Sequence, residues 1–182
     1  MMDEALRPRL EPLLRPLYRE IDGGSRFVEI ERVASIARRL HTPADADARA
    51  FELLLLCHGL GRWLEKIGNR SRAALTAGLS DAELRALAAS IRRLDEPSSD
   101  AERALASATL IDSAGVRGFA ERLAHARREG NSVSDVVRNA LADATVPEWM
   151  PHAGREWLAR RREARREVCR RILDELALDD LS

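Results

Sequence analysis

The chain has 182 residues, with 30 basic and 30 acidic side chains and a formal net charge of zero. It therefore has no overall field that would attract nucleic acid or an anionic membrane, and binding of either kind would have to be local. Hydrophobic residues make up 45% of the chain and aromatic residues only 4%. Because alanine and leucine outnumber β-branched residues, this composition predicts an all-α protein.

The cysteines and the apolar segments indicate where the protein resides. Cys57 and Cys169 show no metal-type spacing, so both are interpreted as buried thiols in a reducing compartment. No apolar stretch reaches membrane-spanning length, and the N-terminus has no apolar signal core. These features predict a cytoplasmic protein without a membrane partner.

The first segment is a predicted amphipathic leader. Leucine and isoleucine recur at helical spacing over residues 3–21, and a glycine-containing break follows at residues 22–25. We therefore predict a helical leader over residues 1–24, packed on a single helical domain over residues 25–182. Three prolines lie within the leader and are expected to kink or break its helix: Pro8, Pro12 and Pro16.

The stretch from Phe51 to Trp63 contains four consecutive leucines and is the predicted centre of the fold. A segment with almost no polar face is expected to be buried, as a helix that starts near Ala46. His58 then lies inside the protein, where a histidine is more often bonded to a backbone carbonyl than catalytic. Gly59 and Gly61 predict either close backbone packing or the end of this helix, since a glycine inside a helix costs about 1 kcal/mol relative to alanine.

Further helices are predicted on both sides of this stretch. A helix over residues 27–40 precedes it, with Glu29 beside the buried face. Ser80 and Glu83 have the spacing of a capping box and start a helix that runs to Leu94. The remaining predicted helices cover residues 99–123, with a bend at Gly115 or Gly118, then residues 132–142 and residues 154–178.

The last predicted helix is rich in arginine outside its apolar stripe, and such a ridge is one signature of nucleic-acid binding. Acidic residues are interleaved with the arginines at pairing distances, however, and no aromatic residues accompany them. This pattern favours a solvated, salt-bridged face, so nucleic acid is not an expected partner. The arginines concerned are Arg155, Arg160, Arg161, Arg162, Arg165, Arg166, Arg170 and Arg171.

Four segments stand in a characteristic order along the chain. They are Glu29-Ile-Glu-Arg-Val33, Leu53-Leu-Leu-Leu-Cys-His58-Gly-Leu-Gly61, Ala106-Ser-Ala-Thr-Leu-Ile-Asp-Ser-Ala-Gly-Val-Arg-Gly-Phe119 and Ala153-Gly-Arg-Glu-Trp-Leu-Ala-Arg-Arg-Arg162. Together they resemble the HD superfamily of metal-dependent phosphohydrolases, and more narrowly its small bacterial single-domain branch. The resemblance covers residues 25–178 and implies a single HD-like helical domain.

The resemblance also implies where a metal site would lie. Members of the family hold their metal through a first-helix His, a His-Asp pair and a later Asp, ligands that suit octahedral manganese, iron or magnesium. These positions are matched here by Glu29, by His58 with Gly59, and by Thr109, or by Ser107 if the register slips by two. Only His58 survives unchanged, so the resemblance implies a degenerate member for which no metal or cofactor is expected. Further histidines of relatives fall near Arg92, Arg93 and Leu94.

Three functional hypotheses follow. In the first, the chain is a non-catalytic module that binds a small molecule or a partner protein through the old pocket. In the second, His58 acts as a general acid or base oriented by Glu29, without metal. In the third, Glu29, His58 and Asp112 form a remodelled metal site for hydrolysis. A homodimer is a further candidate assembly, and the predicted pocket residues are Gly59, Arg62, Arg93, Thr109 and Asp112.

Overall fold

The computed structural model describes residues 6–22, 25–61 and 79–179, and every regular element in these ranges is helical. The prediction of an all-α fold is therefore confirmed for these residues. The helices are α1 (Leu6–Asp22), α2 (Ser25–Leu40), α3 (Asp45–Cys57), a 3-10 turn (His58–Leu60), α4 (Asp81–Arg92), α5 (Asp100–Ala114), α6 (Val116–Arg128), α7 (Val133–Ala142) and α8 (His152–Asp179).

The backbone forms two compact units, Met1–Ala108 and Thr109–Ser182. In the first unit α1 packs against α2 and α3, and α3 also packs against α2 and α4. In the second unit α6, α7 and α8 pack against one another. The division into a leader and a domain at residues 24 and 25 stays a prediction. Over the described part of the chain, no helix combines the length and the apolar character that crossing a membrane requires.

The prolines do not break the leader, contrary to one expectation from the sequence. α1 is a single helix that contains Pro12 and Pro16. Both prolines are exposed, as is Pro8 one turn earlier, so the carbonyl groups that lose an amide partner lie on the solvent side of the helix. The opposite face is buried and holds α1 against its neighbours through Leu6, Leu10, Leu14, Leu17 and Tyr18.

The leucine run of α3 is buried, as the sequence predicts. Leu53 to Leu56 and Cys57 each expose at most 4% of their surface. Because α1, α2 and α4 all contact α3, the apolar residues of its carboxyl half are covered, whereas Ala46 and Ala50 nearer its start are exposed. Burial raises the pKa of the Cys57 thiol to about 12, so this cysteine is a packing residue in its neutral form.

Capping boxes start α4 and α5. Ser80 and Glu83 form the predicted box at α4, which ends at Arg92, two residues before the predicted end. At α5 the Glu102 amide donates to Ser99 Oγ (3.2 Å), and the Glu102 carboxylate accepts from the amides of Ser98 (2.9 Å) and Ser99 (3.2 Å). Three amides at the start of α5 thus obtain acceptors that the helix cannot supply.

The predicted bent helix over residues 99–123 is two helices. α5 ends at Ala114, and Gly115 is the residue that precedes α6. Gly118 lies one turn later, where a Cβ atom would lie only 2.3 Å from the carbonyl oxygen of Ser113. The backbones at the α5–α6 junction therefore approach more closely than any side chain at position 118 allows.

The arginine-rich face of α8 is partly paired and partly buried. The predicted pairing is present in Arg166–Glu163 (3.5 Å), Arg170–Glu163 (3.4 Å) and Arg171–Glu167 (2.6 Å). The placement of Arg162 and Arg165 on the solvated face was wrong, because both are buried. Spacing could have shown this for Arg165, which stands seven residues after buried Leu158 and four before buried Cys169, on the same helix face.

We predict that Glu102→Gln destabilises the first unit by about 1.5–3 kcal/mol at pH 7, since hydrogen bonds to a charged partner are lost. Burial raises the pKa of Glu102, but hydrogen bonds from Arg93 and the Ser98 amide outweigh it and hold the pKa at about 2, against 4.5 when unperturbed. This stabilisation is complete above pH 4.5 and is lost as the pH falls towards 2. Urea unfolding at pH 7 and pH 3 measures the difference.

The matched control is Glu96→Gln, at an exposed position before α5. It should change the free energy of unfolding by less than about 0.5 kcal/mol at either pH. Equal effects of the two substitutions would contradict the role assigned to the buried carboxylate.

Candidate functional site

His58 caps the carboxyl end of α3. Its backbone amide donates to Leu54 O, and its ring Nδ1 lies 2.8 Å from Leu55 O. The next carbonyl, Leu56 O, accepts from the hydroxyl of Tyr18 on α1 (2.7 Å). Because carbonyl groups at the end of a helix have no intrahelical donor, these bonds satisfy groups that would otherwise be buried without partners. The interpretation of His58 as a histidine bonded to a backbone carbonyl therefore describes its contacts.

Burial sets the protonation state of His58. Loss of solvent lowers the pKa of the imidazole from 6.5 to about 4, and the bond to Leu55 O offsets only part of that effect. The ring is therefore neutral at pH 7, with its proton on Nδ1, the atom that donates to the carbonyl. A general base works best when its pKa is near the operating pH, and the pKa of this imidazole is well below neutral pH.

Glu29 does not orient His58. Its side chain is exposed on α2, and no carboxylate is among the groups that shift the pKa of the imidazole. The ring Nδ1 has Leu55 O as its partner, not a carboxylate. The structure thus places both residues in the first unit without bringing their side chains together.

Gly59 lies at a close approach of the chain and lines none of the cavities described below. A Cβ atom at this position would lie 2.4 Å from Ile30 Cδ1 and 3.0 Å from Tyr18 Cε1. Both neighbours are almost fully buried, so they have little room to move. The space that a carboxylate would need at position 59 is filled by α1 and α2.

The other predicted pocket residues have separate places. Arg93 donates to Glu102 Oε1 (2.6 Å) and to Ser90 Oγ (3.3 Å), so its guanidinium has structural partners. Thr109 is exposed and Asp112 half-buried, and both belong to the second unit. Arg62, like the adjoining Trp63, lies outside the described residues. Within the described ranges no three His, Cys, Asp or Glu side chains are grouped closely enough to hold a metal ion.

A cavity of about 730 Å³ lies elsewhere in the first unit, and the sequence analysis missed it. It is bounded by α3, α4 and the start of α5, and its apolar lining includes Phe51, Leu54 and Leu87. Small side chains on the three helices leave the space open, and these alanines were the signal that the sequence offered. They are Ala46 and Ala50 on α3, Ala86 on α4 and Ala101 on α5.

The rim of this cavity is polar but internally paired. Arg49 Nε lies 2.7 Å from Glu83 Oε1. The Arg49 guanidinium, followed by the amide and hydroxyl of Ser80, lowers the pKa of Glu83 to about 2, so this carboxylate stays ionised. Asp47, Glu83 and Asp100 each lie in the first turn of a helix, where a negative charge is stabilised by the helix dipole. These carboxylates thus stabilise the amino-terminal ends of their helices.

Comparison with known proteins gives no relative: no family model matches the sequence, and neither does any curated protein or solved structure. The resemblance to HD phosphohydrolases stays a prediction from the motifs. The geometry of the site is therefore the basis for a functional argument.

We predict that Gly59→Ala destabilises the protein by about 1–3 kcal/mol, because the added methyl group overpacks a filled site. Adding Ile30→Val removes the Cδ1 atom that lies closest to the new Cβ. Ile30→Val alone should cost about 0.5–1.5 kcal/mol. The double variant should be more stable than the sum of the two single changes implies, and urea unfolding of all four proteins tests this. Strict additivity would contradict the close contact.

We predict that His58 makes stability fall with acid between pH 6.5 and pH 4. The unfolded chain takes up a proton at 6.5, whereas the folded ring resists protonation until about 4. The contribution is therefore complete above pH 6.5 and is lost through this window. His58→Asn keeps a donor for Leu55 O but does not titrate, so it should lose about 2–3 kcal/mol less than the wild type between pH 7 and 4.5.

Thermal unfolding at several pH values measures this difference. His152→Asn is the control, since His152 is exposed on α8. Its pH profile should match that of the wild type. A His58→Asn profile that also matches would show that the buried ring does not carry the effect.

Proposed function

We propose that this chain is a non-catalytic helical binding protein that takes a small, largely apolar molecule into the cavity of α3, α4 and α5. The observation that carries the proposal is the cavity itself, whose volume of about 730 Å³ falls in the range typical of small-molecule sites, roughly 300–1,000 Å³. Its lining is apolar at Phe51, Leu54 and Leu87, with a few polar groups near the edge. Such a lining favours an apolar ligand body with one or two hydrogen-bonding groups.

The rim suggests a neutral ligand. Arg49 and Glu83 are bonded to each other, Asp100 pairs with Arg103 (3.0 Å), and Asp47 is exposed at the start of α3, so the described lining holds no cation that is free to bind an anionic ligand. Ser90, Ser99 and His41 also line the cavity and can exchange hydrogen bonds with a hydroxyl or carbonyl group. We therefore propose a neutral molecule that is apolar over most of its surface.

We further propose that the chain is a degenerate HD-type protein that has lost metal-dependent phosphohydrolase activity. The support comes from positions 58 and 59. His58 uses its Nδ1 proton to cap α3, and Gly59 is packed where the family has a metal-binding carboxylate. The old pocket at these residues is replaced by packing, so the proposed ligand site lies on another side of α3.

Binding of the neutral dye Nile red tests the cavity. The wild-type protein should bind the dye saturably, and Ala86→Trp should weaken binding by tenfold or more, since a large ring at an exposed lining position fills the space. A tenfold weaker affinity corresponds to a loss of about 1.4 kcal/mol of binding free energy, which the indole ring causes by excluding part of the dye. Ala120→Trp is the matched control, an exposed alanine on α6 that does not line the cavity.

The control should bind the dye as tightly as the wild type, with unchanged thermal unfolding. Unsaturable binding, or equal affinity of the Ala86→Trp and wild-type proteins, would remove the basis of the proposal. Ala50→Trp blocks the same cavity from α3 and gives an independent second reading.

A phosphatase assay tests the proposed loss of hydrolysis. Chelator-free protein without a histidine tag should show no turnover of p-nitrophenyl phosphate with manganese, iron or magnesium above that of His58→Ala, and elemental analysis should find no stoichiometric metal. Metal-dependent turnover that disappears in His58→Ala would contradict the non-catalytic proposal and favour the remodelled metal site.

A further inference from the structure

An arginine is completely buried in the second unit. Arg165 on α8 exposes none of its surface. It lies near a core formed by Phe119, Val137, Ala140 and Cys169 of α6, α7 and α8, and its positive charge lowers the pKa of the Cys169 thiol against the larger, opposing effect of burial. Arginine is rarely fully buried unless its charge is paired, so its partners determine what this residue does.

The pairing of Arg165 is incomplete. Its Nη1 lies 3.1 Å from Asp143 Oδ2, but Nε and Nη2 have no hydrogen-bond partner within the described ranges. The same carboxylate also serves Arg162, whose Nη2 lies 2.9 Å from Asp143 Oδ1. One negative charge is thus shared by two buried guanidinium groups. A buried charged donor without an acceptor is costly, so a bound acceptor would be strongly favoured.

Arg165 is one of the residues that line a cavity. The cavity has a volume of about 350 Å³ and is bounded by α6, α7 and α8, with Arg165 and Arg122 among its lining residues. Burial, followed by the positive charge of Arg165, lowers the pKa of Arg122. Glu129 is the other lining carboxylate besides Asp143, but it is exposed and pairs with His125 (3.1 Å). The buried part of the site is therefore cationic.

We propose that this cavity binds a small oxyanion, a phosphate or a carboxylate, between Arg165 and Arg122. Two oxygen atoms of such an anion match the forked donors of a guanidinium group. Nε and Nη2 of Arg165 form one edge of that fork, and both are the atoms that lack acceptors. Arg122 supplies the second positive charge from α6, and the amide of Asn139 on α7 is a further donor at the cavity.

The site needs a small rearrangement to admit its ligand. Because Arg165 has no exposed surface, an anion reaches it only when a neighbouring side chain turns aside. Arg122, His125 and Asn139 line the cavity and are all exposed. Exposed side chains exchange rotamers within about nanoseconds, so this step does not limit binding. The site lies in the second unit and shares no residue with the apolar cavity of the first, so either can exist without the other.

Isothermal titration calorimetry with sodium phosphate and, separately, with sodium malonate tests the inference, with sodium chloride at matched ionic strength as the reference. At least one of the two anions should bind saturably at one site per chain. Arg122→Gln should weaken that binding by about ten- to a hundredfold, the value of a charge-assisted hydrogen bond. Arg117→Gln is the matched control, since Arg117 is exposed on the same helix and does not line the cavity; its affinity should equal that of the wild type.

The two anions distinguish the sources. Binding of phosphate alone supports a phosphate ligand, binding of malonate alone supports a carboxylate ligand, and binding of both supports a general oxyanion site. Arg165→Met should abolish binding where it folds. Arg122→Gln, a change at a surface side chain that also donates to Ser113 O (3.0 Å), decides the matter where it does not. Two results would overturn the inference: heats equal to those of chloride for both anions, or equal affinity of the Arg122→Gln and wild-type proteins. Buried water would then be the acceptor for Nε and Nη2 of Arg165.

Discussion

The buried carboxyl end of α3 requires donors for its last carbonyl groups, and the first unit is arranged to supply them. His58 provides two donors and Tyr18 of α1 provides the third. Gly59 has no side chain, and this absence lets Ile30 of α2 fill the space beside it. The need for donors to the last carbonyl groups of α3 thus joins α1, α2 and α3. It also occupies His58, the one residue that matches a metal ligand of the HD-type motif unchanged.

Local signals were sufficient for much of the fold. The leucine run, the Ser80 capping box and the glycines after Cys57 predicted elements that the structure contains, because each depends on a few adjacent residues. The end of α5 at Ala114 was missed, since it depends on a close backbone approach at Gly118. The cavity and the burial of Arg165 were also missed, because both depend on which helices become neighbours. The metal-site alternatives rested on motif order, which does not reveal that position 59 is filled.

The two cavities illustrate different ways in which a helical unit leaves space. In the first unit, alanines on facing helices, among them Ala50 and Ala86, are too small to close the gap, so the space is apolar. In the second unit the space lies beside Arg165, a charge that the surrounding groups only partly neutralise. A gap between small side chains favours molecules that avoid water, whereas an incompletely paired charge favours an anion. The two cavities therefore differ in chemistry although both lie between helices.

The prolines of α1 also affect how the first unit is assembled. Pro12 and Pro16 each remove an amide that would otherwise bond one turn back, so this helix gains little from its own backbone. Its stability must come from contacts with α2 and α3, which form from segments closer to the centre of the unit. The stability of helix α1 therefore depends on the apolar surface that its neighbours supply, on which Leu10 and Leu14 are buried.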